Sequence, residues 1–315
     1  MVKQQRIIIG TRGSPLALWQ AHWVKSQLED RWKDLSVELR RIKTTGDKIT
    51  EVPLAKVGGK GLFTKEIEEA LLRKEIDLAV HSMKDVPTVF PCGLHLAAIP
   101  KREDPRDVLI SRENFLLKQL PRAARIGTCS LRRQAQLLNF CKTFEICQLR
   151  GNVDTRLRKL RQTGKNGLDA IVLAAAGLKR LGWEEQVTEY LSMEVSLPAI
   201  GQGAIGIECR VEDPRVNDRV GVLNDVETHQ CVFGERGFLK RLEGGCQVPI
   251  AAYGVIREGT FFLDGLVASV AGDRVIRYQM TGEPQGSELV GKNLAEHLLK
   301  LGAGEVLKEI TGAEL

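Results

Sequence analysis

Short apolar runs alternate along the chain with longer amphipathic stretches. The run at 6–11 predicts a buried strand, and apolar residues then recur at helical spacing, at Leu16, Trp19, Trp23 and Leu28. Ser14 suits the N-cap of this helix, with Pro15 at its first position. The same order of strand, Gly-Thr, serine cap and helix returns at 125–138, with Ser130 as the cap. The pattern therefore predicts two similar α/β halves, each with a helix N-terminus beyond a strand end, where anions bind readily.

Further segments of both kinds fill the two halves. Strands are predicted at 37–43, 77–80, 94–100, 144–149 and 169–174, and helices at 62–74, near 154–162 and ending near residue 181. Thr64 is the expected cap of the helix at 62–74, and Asp154 of the next. The charged run 101–107 is interpreted as a hinge and the glycine-rich run 197–208 as a crossover. Strands alternating with helices indicate largely parallel sheets covered on both faces.

The pattern changes from about residue 224. A helix is predicted over 225–242, hairpin strands over 254–269 and 273–282, and a last helix over 292–302. The predicted fold class is α/β with three domains, the third a small α+β domain. Their expected boundaries are 1–101 plus 201–221 for domain 1, 105–198 for domain 2 and 224–315 for domain 3.

Length and composition agree with a globular protein of several domains. The chain has 315 residues, which is longer than one hydrophobic core usually supports. Its residues are 43% hydrophobic and 27% charged, as in an ordinary globular protein. The apolar run near the N-terminus is too short for a signal peptide or a membrane span. We therefore expect a cytoplasmic protein.

Charge and cysteine usage narrow the function classes. Lys and Arg outnumber Asp and Glu by 46 to 40, an excess that would attract nucleic acid or a polyanionic small molecule. Aromatic residues make up only 5%, and no run of five basic residues occurs, which argues against nucleic acid. The seven cysteines form no CxxC pair, and His81 has no second ligand at suitable spacing, so no metal site is expected.

Basic residues cluster just after the predicted strands and at helix ends. In open α/β sheets ligands bind beyond the carboxyl ends of the strands, and a guanidinium group can bind a carboxylate or phosphate through two hydrogen bonds. The set favours a ligand with several anionic groups, although each residue alone also fits a solvated helix end. Its members are Arg12, Lys84, Arg132, Arg133, Arg150, Arg156 and Arg180.

Asp85 is an acidic residue within this basic set. A carboxylate would repel an anionic ligand, but it would stabilise a cation that forms during a reaction or move a proton. Asp85 is therefore the candidate catalytic residue. The alternative is a turn-forming aspartate paired with Lys84.

Two glycine-rich segments also contain candidate functional residues. The segment 55–66 contains Lys56 and Lys60 but lacks the Ser or Thr that a P-loop places after its lysine. It is interpreted as a basic loop over the crevice, with an exposed turn as the alternative. In RLEGGCQVPI (241–250) two glycines precede Cys246, which fits an accessible, reactive thiol better than a structural cysteine.

These motifs together resemble the porphobilinogen deaminase family over essentially the whole chain. The blocks that carry the resemblance occur in the family's order: GTRGSPLALWQA, PLAKVGGKGLFTKE, AVHSMKDVP, EDPRD, GTCSLRRQAQL, LRGNVDTRL, AAAGLKRL, LPAIGQGAIGIE and LEGGCQVPI. The resemblance implies a three-domain enzyme whose first two domains are similar to the type II periplasmic-binding-protein fold.

The resemblance also implies an activity and a cofactor. The family condenses four porphobilinogen molecules head to tail into the linear tetrapyrrole hydroxymethylbilane, with loss of ammonia at each addition, in porphyrin and haem biosynthesis. The chain grows on a dipyrromethane cofactor, which the motif attaches to Cys246 through a thioether. A monomer is implied as well.

Site residues follow from the same motifs. The resemblance makes Asp85 catalytic and assigns cofactor binding to Cys246, Lys84, Asp85, Ser130, Arg132, Arg133 and Arg156. It assigns substrate binding to Arg12, Ser14, Gln20, Lys60, Arg150 and Arg180, with Gln202 as a weaker candidate. Cys129 stands where the family often has serine, and Asp154 where some members have glycine.

The competing class is an anion-binding protein without catalytic activity, of the periplasmic-binding type or a regulator's effector domain. That class predicts an export signal or an attached DNA-binding helix-turn-helix, and the sequence indicates neither. It also gives Cys246 and Asp85 no role.

Overall fold

A computed structural model describes residues 5–48, 61–162, 164, 167–242 and 248–312. The chain forms two compact units. Unit 1 comprises residues 1–103 and 204–229, and unit 2 comprises residues 104–203 and 230–315.

Unit 1 is built on a mixed sheet of five described strands. They are β1 (Gln5–Thr11), β2 (Leu35–Arg41), β3 (Leu78–Ser82), β4 (Leu94–Ala98) and β10 (Ile205–Arg210), in the order β2-β1-β3-β10-β4. β1 runs parallel to both β2 and β3, whereas β10 is antiparallel to β3 and β4. The sheet therefore incorporates a strand that lies more than a hundred residues later in the sequence than its neighbours.

Helices cover this sheet through apolar side chains. They are α1 (Pro15–Arg31), α3 (Lys65–Leu72) and α7 (Pro214–Gly221), whereas the short helix α2 (Thr45–Lys48), between α1 and α3 in the chain, has no apolar side chain. α1 packs Val24 and Leu28 against Ile7 and Ile9 of β1, and all four side chains are fully buried. Burial of each such side chain contributes about 1.5–3 kcal/mol. The N-terminus of α1 is thereby fixed next to the end of β1.

A second mixed sheet forms the first part of unit 2. Its strands are β5 (Asp107–Ser111), β6 (Arg125–Gly127), β7 (Glu145–Cys147), β8 (Ala170–Ala174) and β9 (Glu189–Tyr190), in the order β7-β6-β8-β5-β9. β6 is parallel to β7 and β8, and β5 is antiparallel to β8 and β9. The helices of this part are α4 (Leu131–Phe140), α5 (Val153–Arg161) and α6 (Ala175–Arg180).

The rest of unit 2 is an antiparallel sheet of β11 (Ile250–Arg257), β12 (Thr260–Ala268) and β13 (Val275–Gly282). Helices α8 (Val226–Arg241), α9 (Ser287–Leu298) and α10 (Gly304–Thr311) accompany it, with a π-helical turn at Leu299–Ala303 between the last two. Phe238, Leu263 and Leu294 are fully buried in its core.

The structure confirms the α/β class and corrects several details. Both five-stranded sheets are mixed rather than largely parallel, because β5 and β10 were not predicted and run antiparallel to their neighbours. The expected hinge at 101–107 ends in β5, and the expected crossover at 197–208 contains the start of β10. The boundaries of the three domains stay a prediction.

Helix caps were predicted with mixed success. Ser14 caps α1 by accepting a hydrogen bond from the backbone N–H of Ala17. Thr64 occupies the N-cap position of α3, but its hydroxyl makes no capping hydrogen bond with any residue that the structure describes. The cap of α5 is Asn152, and Asp154 in its first turn instead pairs with Arg158.

None of the helices in the described residues combines the length and the apolar character that a bilayer-crossing helix needs.

Candidate active site

A pocket in unit 1 lies beyond the carboxyl ends of β1 and β3, which are neighbouring parallel strands. Parallel strands end at the same edge of a sheet, so the residues that follow them come together. The structure thus gathers five of the predicted site residues in one place. The pocket is lined by Arg12, Ser14, Leu16, Ala17, Gln20, Phe63, Thr64, Val80, His81, Ser82, Lys84 and Asp85.

Arg12 follows β1, and Asp47 of α2 holds its guanidinium group. Nε of Arg12 donates to Oδ1 of Asp47 at 3.1 Å, and Nη2 donates to the same oxygen. The guanidinium also lies over the ring of Phe63, 4.1 Å from its centre. Burial alone would raise the pKa of Asp47, but hydrogen bonds from Arg12 and Thr44 and the charge of Arg12 outweigh it and lower this pKa below its usual value.

Ser14 and Gln20 lie on the first two turns of α1. Because the hydroxyl of Ser14 accepts the cap hydrogen bond, its position is set by the helix itself. Gln20 is buried, and its Nε2 donates to the hydroxyl of Ser82 at 3.0 Å. The polar floor of the pocket is therefore held by contacts between α1 and the end of β3.

Lys84 and Asp85 lie in a single 3₁₀ turn, Met83–Asp85, directly after β3. Met83 anchors the turn because its side chain is buried and its backbone N–H donates to the carbonyl of Ala204 at 3.0 Å. Within the described part of the chain, the carboxylate of Asp85 forms no ion pair or hydrogen bond. This observation does not support the alternative in which Asp85 merely pairs with Lys84.

Three titratable groups are buried next to this pocket. Nε2 of His81 lies 2.8 Å from Oε2 of Glu208, on the adjacent strand β10. Burial raises the pKa of Glu68 on α3, and the nearby charge of Glu208 raises it further, against the lowering effects of Thr64 and His81. The Oε1 atoms of Glu68 and Glu208 are buried without a hydrogen bond to any described residue. Glu68 therefore keeps its proton to a higher pH than an ordinary glutamate does.

In unit 2, Ser130 follows β6 and caps α4. Its hydroxyl accepts a hydrogen bond from the N–H of Arg133, and its own N–H donates to the hydroxyl of Thr128 at 3.1 Å. The predicted serine cap is thus confirmed. The N-terminus of a helix favours negative charge, so this end of α4 suits a carboxylate.

The remaining predicted arginines of unit 2 occupy two different environments. Arg156 on α5 donates from Nε to the carbonyl of Gly151, and its Nη2 lies 3.8 Å from the thiol of Cys129. Arg150 lies on the loop between β7 and α5 and is half-buried. Arg180 at the end of α6 is buried, and its Nη2 donates to the carbonyl of Gly203 at 2.6 Å.

Arg132 and Arg133 are buried on α4 around the fully buried Asp107. Nη1 of Arg132 lies 2.7 Å from Oδ2 of Asp107, and Nη2 of Arg133 lies 2.7 Å from Oδ1. Ser196 and Gln202 also donate to this carboxylate. Burial alone would raise the pKa of Asp107, but the charges and hydrogen bonds of the two arginines hold it far below its usual value. Two guanidinium groups against one carboxylate leave one positive charge.

Cys246 and Lys60, with Lys56 beside it in the sequence, lie outside the described residues. The flanks of Cys246 are described: Leu242 at the end of α8 and Val248 ahead of β11 are both buried in the core of the three-stranded sheet.

Sequence reasoning missed Asp47, Asp107 and Glu208. Asp107 had a signal, because an acidic residue directly ahead of the apolar run Val108–Ile110 must be paired if that run is buried. No sequence pattern indicated Asp47 or Glu208, because their partners Arg12 and His81 lie far away in the sequence. In the part of the chain that is described, no group of three or more His, Cys, Asp or Glu residues could hold a metal ion.

The fold and the pocket define an α/β protein with basic side chains and helix N-termini beyond the ends of its strands, suited to an anionic ligand. The chain belongs to the porphobilinogen deaminase family. Its residues 7–218 match the family domain described as porphobilinogen deaminase, dipyromethane cofactor binding domain. Residues 229–300 match the C-terminal domain of porphobilinogen deaminase.

Relatives with this name are similar over nearly the full length. Porphobilinogen deaminase of Pelobacter propionicus is 54% identical over 311 residues, which cover 99% of each chain. That of Geobacter metallireducens is 56% identical over 311 residues, covering 99% of this chain and 96% of the relative. As a member of this family, the chain is a transferase of porphyrin biosynthesis that makes hydroxymethylbilane from porphobilinogen and uses a dipyrromethane cofactor.

Among solved structures, the periplasmic aliphatic sulphonate binding protein SsuA from Escherichia coli is similar at 13% identity and a TM-score of 0.40, covering 76% of this chain and 70% of that one.

Proposed function

We propose that the unit 1 pocket is the catalytic centre at which porphobilinogen units are joined head to tail. Four additions extend the cofactor by four pyrrole rings, and each releases ammonia; hydrolysis of the bond to the cofactor then frees the linear tetrapyrrole, with water supplying its hydroxyl group. The observation that carries the proposal is the placement of Asp85 in the same pocket as Arg12, Ser14, Gln20 and Lys84.

Asp85 is the proposed catalytic residue. When ammonia leaves the aminomethyl group of porphobilinogen, its C–N bond breaks and positive charge develops on the methylene carbon. A carboxylate nearby stabilises that charge. The α-carbon of the neighbouring pyrrole then forms a C–C bond to the methylene and loses its proton, for which the same carboxylate is a suitable base. The lack of a structural ion pair at Asp85 in the described residues supports this assignment.

Several basic and polar residues are proposed to bind the acetate and propionate groups of the pyrroles. Arginine suits this task because its planar group can hold a carboxylate through two hydrogen bonds. The proposed substrate contacts are Arg12, Ser14, Gln20, Lys60, Arg150 and Arg180. Lys56 and Lys60 belong to the segment proposed to cover the crevice.

The cofactor is proposed to be attached to Cys246 through a thioether and held by Lys84, Asp85, Ser130, Arg132, Arg133 and Arg156. These residues fit a group that carries carboxylates, because they combine the N-terminus of α4 with basic side chains. Arg132 and Arg133 are buried and bonded to Asp107, so their proposed contribution is the positive charge that this network retains beside Ser130. When bound, the dipyrromethane supplies the free pyrrole α-carbon to which the first unit is added.

The protein is further proposed to act in the cytoplasm as a monomer and without nucleic acid. The low aromatic content and the absence of basic runs in the sequence support the last point. Sedimentation at micromolar concentration would reveal a dimer if the monomer assignment is wrong.

The variant Asp85→Asn tests the proposed catalytic centre. It keeps the size of the side chain and removes its charge, so we expect kcat to fall by roughly 10²–10⁴-fold while the cofactor stays attached. Asp30→Asn on the exposed side of α1 is the control and should keep the wild-type kcat. Normal production of hydroxymethylbilane by Asp85→Asn would remove Asp85 from the mechanism.

A further inference from the structure

Asp47 binds one particular edge of the Arg12 guanidinium group. Its carboxylate accepts hydrogen bonds from Nε and Nη2, the two nitrogens on the inner edge of the group. Nη1 forms no hydrogen bond with the residues that the structure describes. The outer edge, formed by Nη1 and Nη2, therefore keeps donors for a single further carboxylate.

The carboxylate of Asp47 is itself fixed. The hydroxyl of the fully buried Thr44 donates to Oδ2 at 2.8 Å, and the N–H of Thr44 lies 3.3 Å from the same oxygen. Arg12 is thus held by a carboxylate that has its own positioning contacts, rather than by an exposed pair of flexible side chains.

The face of the guanidinium is fixed as well. The ring of Phe63 lies 4.1 Å from the carbon at the centre of the group. Phe63 reaches this position because Gly46 has no side chain, since a Cβ atom there would lie 2.2 Å from a carbon of the ring. One edge and one face of Arg12 are therefore occupied before any ligand binds.

We propose that Asp47 is a positioning residue for the reaction, which orients Arg12 so that its outer edge receives one carboxylate of the incoming porphobilinogen. The inference rests on the proposed role of Arg12 in substrate binding. A preset guanidinium group loses less conformational freedom when the substrate binds, so the benefit appears in substrate affinity. Asp47 touches neither substrate nor cofactor in this account.

The charge of Asp47 also has an effect on substrate affinity that opposes the benefit of positioning Arg12. Its negative charge repels an anionic substrate, so a purely electrostatic role predicts tighter binding when the charge is removed. Two variants separate these effects. Asp47→Asn removes the charge and weakens the hydrogen bonds, whereas Thr44→Val leaves the charge and removes only the hydroxyl that holds Asp47.

The test is steady-state kinetics of the holoenzymes, with cofactor occupancy measured by intact mass. For Asp47→Asn we expect KM for porphobilinogen to rise about tenfold, which corresponds to about 1.4 kcal/mol, at unchanged kcat and occupancy. Thr44→Val should raise KM about two- to threefold in the same direction. The matched control is Asp264→Asn, because Asp264 makes the same pair with Nε and Nη2 of Arg277 in the three-stranded sheet. The control should keep the wild-type KM.

Each other outcome has a definite meaning. An unchanged or lowered KM in both Asp47→Asn and Thr44→Val would overturn the positioning role. A fall in kcat and in thermal stability at constant KM would also overturn it, because it would show a structural role alone. Arg12→Ala separates this inference from the proposed function: a wild-type KM there would refute substrate binding by Arg12, whereas a raised KM there beside normal Asp47 variants would refute only the inference.

Discussion

Asp107 is a single carboxylate that two buried guanidinium groups share. It is fully buried, as are most of the atoms of Arg132 and Arg133, and the charges are paired at 2.7 Å. Removing one member of a buried pair leaves charge that nothing compensates, which costs about 3–5 kcal/mol. We expect Asp107→Asn to lower the free energy of unfolding by this amount, measured by urea denaturation.

The control for this prediction is an exposed ion pair. Arg6 and Glu38 pair across neighbouring strands, and their side chains are 58% and 51% exposed. Exposed pairs contribute about 0–1 kcal/mol, so Glu38→Gln should change stability by no more than that. Equal losses in the two variants would show that burial is not what makes Asp107 important.

Glu68 predicts a pH dependence of stability. Burial and the charge of Glu208 raise its pKa in the folded protein above the ordinary value of 4.5. The folded state therefore binds the proton more tightly than the unfolded chain, and this carboxyl costs stability as the pH rises from 4.5 through the folded pKa. Glu68→Gln removes that cost, so the variant should gain stability relative to the wild type at pH 8 and show no such gain at pH 4.

The measurement is thermal unfolding of wild type and Glu68→Gln across this pH range. Glu69→Gln is the control on the same helix, where the side chain is 45% exposed. A constant difference between Glu68→Gln and the wild type at all pH values would contradict the proton assigned to Glu68.

Among the secondary-structure elements, α9 packs closely against α8 beside the three-stranded sheet because Gly291 has no side chain. A Cβ atom at Gly291 of α9 would lie 2.0 Å from the carbonyl oxygen of Gly234 on α8. Backbone atoms cannot yield cheaply, so we expect Gly291→Ala to cost about 1–3 kcal/mol, the usual range for overpacking. In Gly221→Ala, at the end of α7, the added methyl meets nothing within 4 Å, and we expect stability to change by no more than about 1 kcal/mol. Equal stability of the two variants by urea denaturation would contradict this close approach.

Elements with local signals were predictable from the sequence. The N-terminus of α1 has a serine cap followed by proline, and that of α4 has a serine after a Gly-Thr pair, so both were predicted with their capping residues. β5 and β10 were missed for physical reasons. β5 follows a charged, proline-containing stretch that suggests a hinge, and β10 pairs with strands more than a hundred residues away, which no local pattern reports.

In the molecule as a whole, the candidate site was also predictable only in part, because local sequence patterns do not report contacts between residues far apart in the chain. The sequence placed Arg12 and Asp85 after strands, and the parallel pairing of β1 with β3 brings them into one pocket. The carboxylates that hold the arginines were not predicted, because Asp47 lies 35 residues from Arg12 and Asp107 lies 25 residues from Arg132. The sequence therefore indicated which groups are proposed to meet the ligand, whereas the carboxylates that pair with the arginines follow from the fold.

In the proposed function, this chain builds a tetrapyrrole on a primer attached to Cys246. The most direct test is the intact mass of the purified protein, followed by peptide mapping of the fragment that contains Cys246. We predict a mass increase equal to two pyrrole units, located on that peptide and missing in Cys246→Ser. A bare chain that gains no adduct when incubated with porphobilinogen or preformed hydroxymethylbilane would refute the proposed primer and its attachment to Cys246.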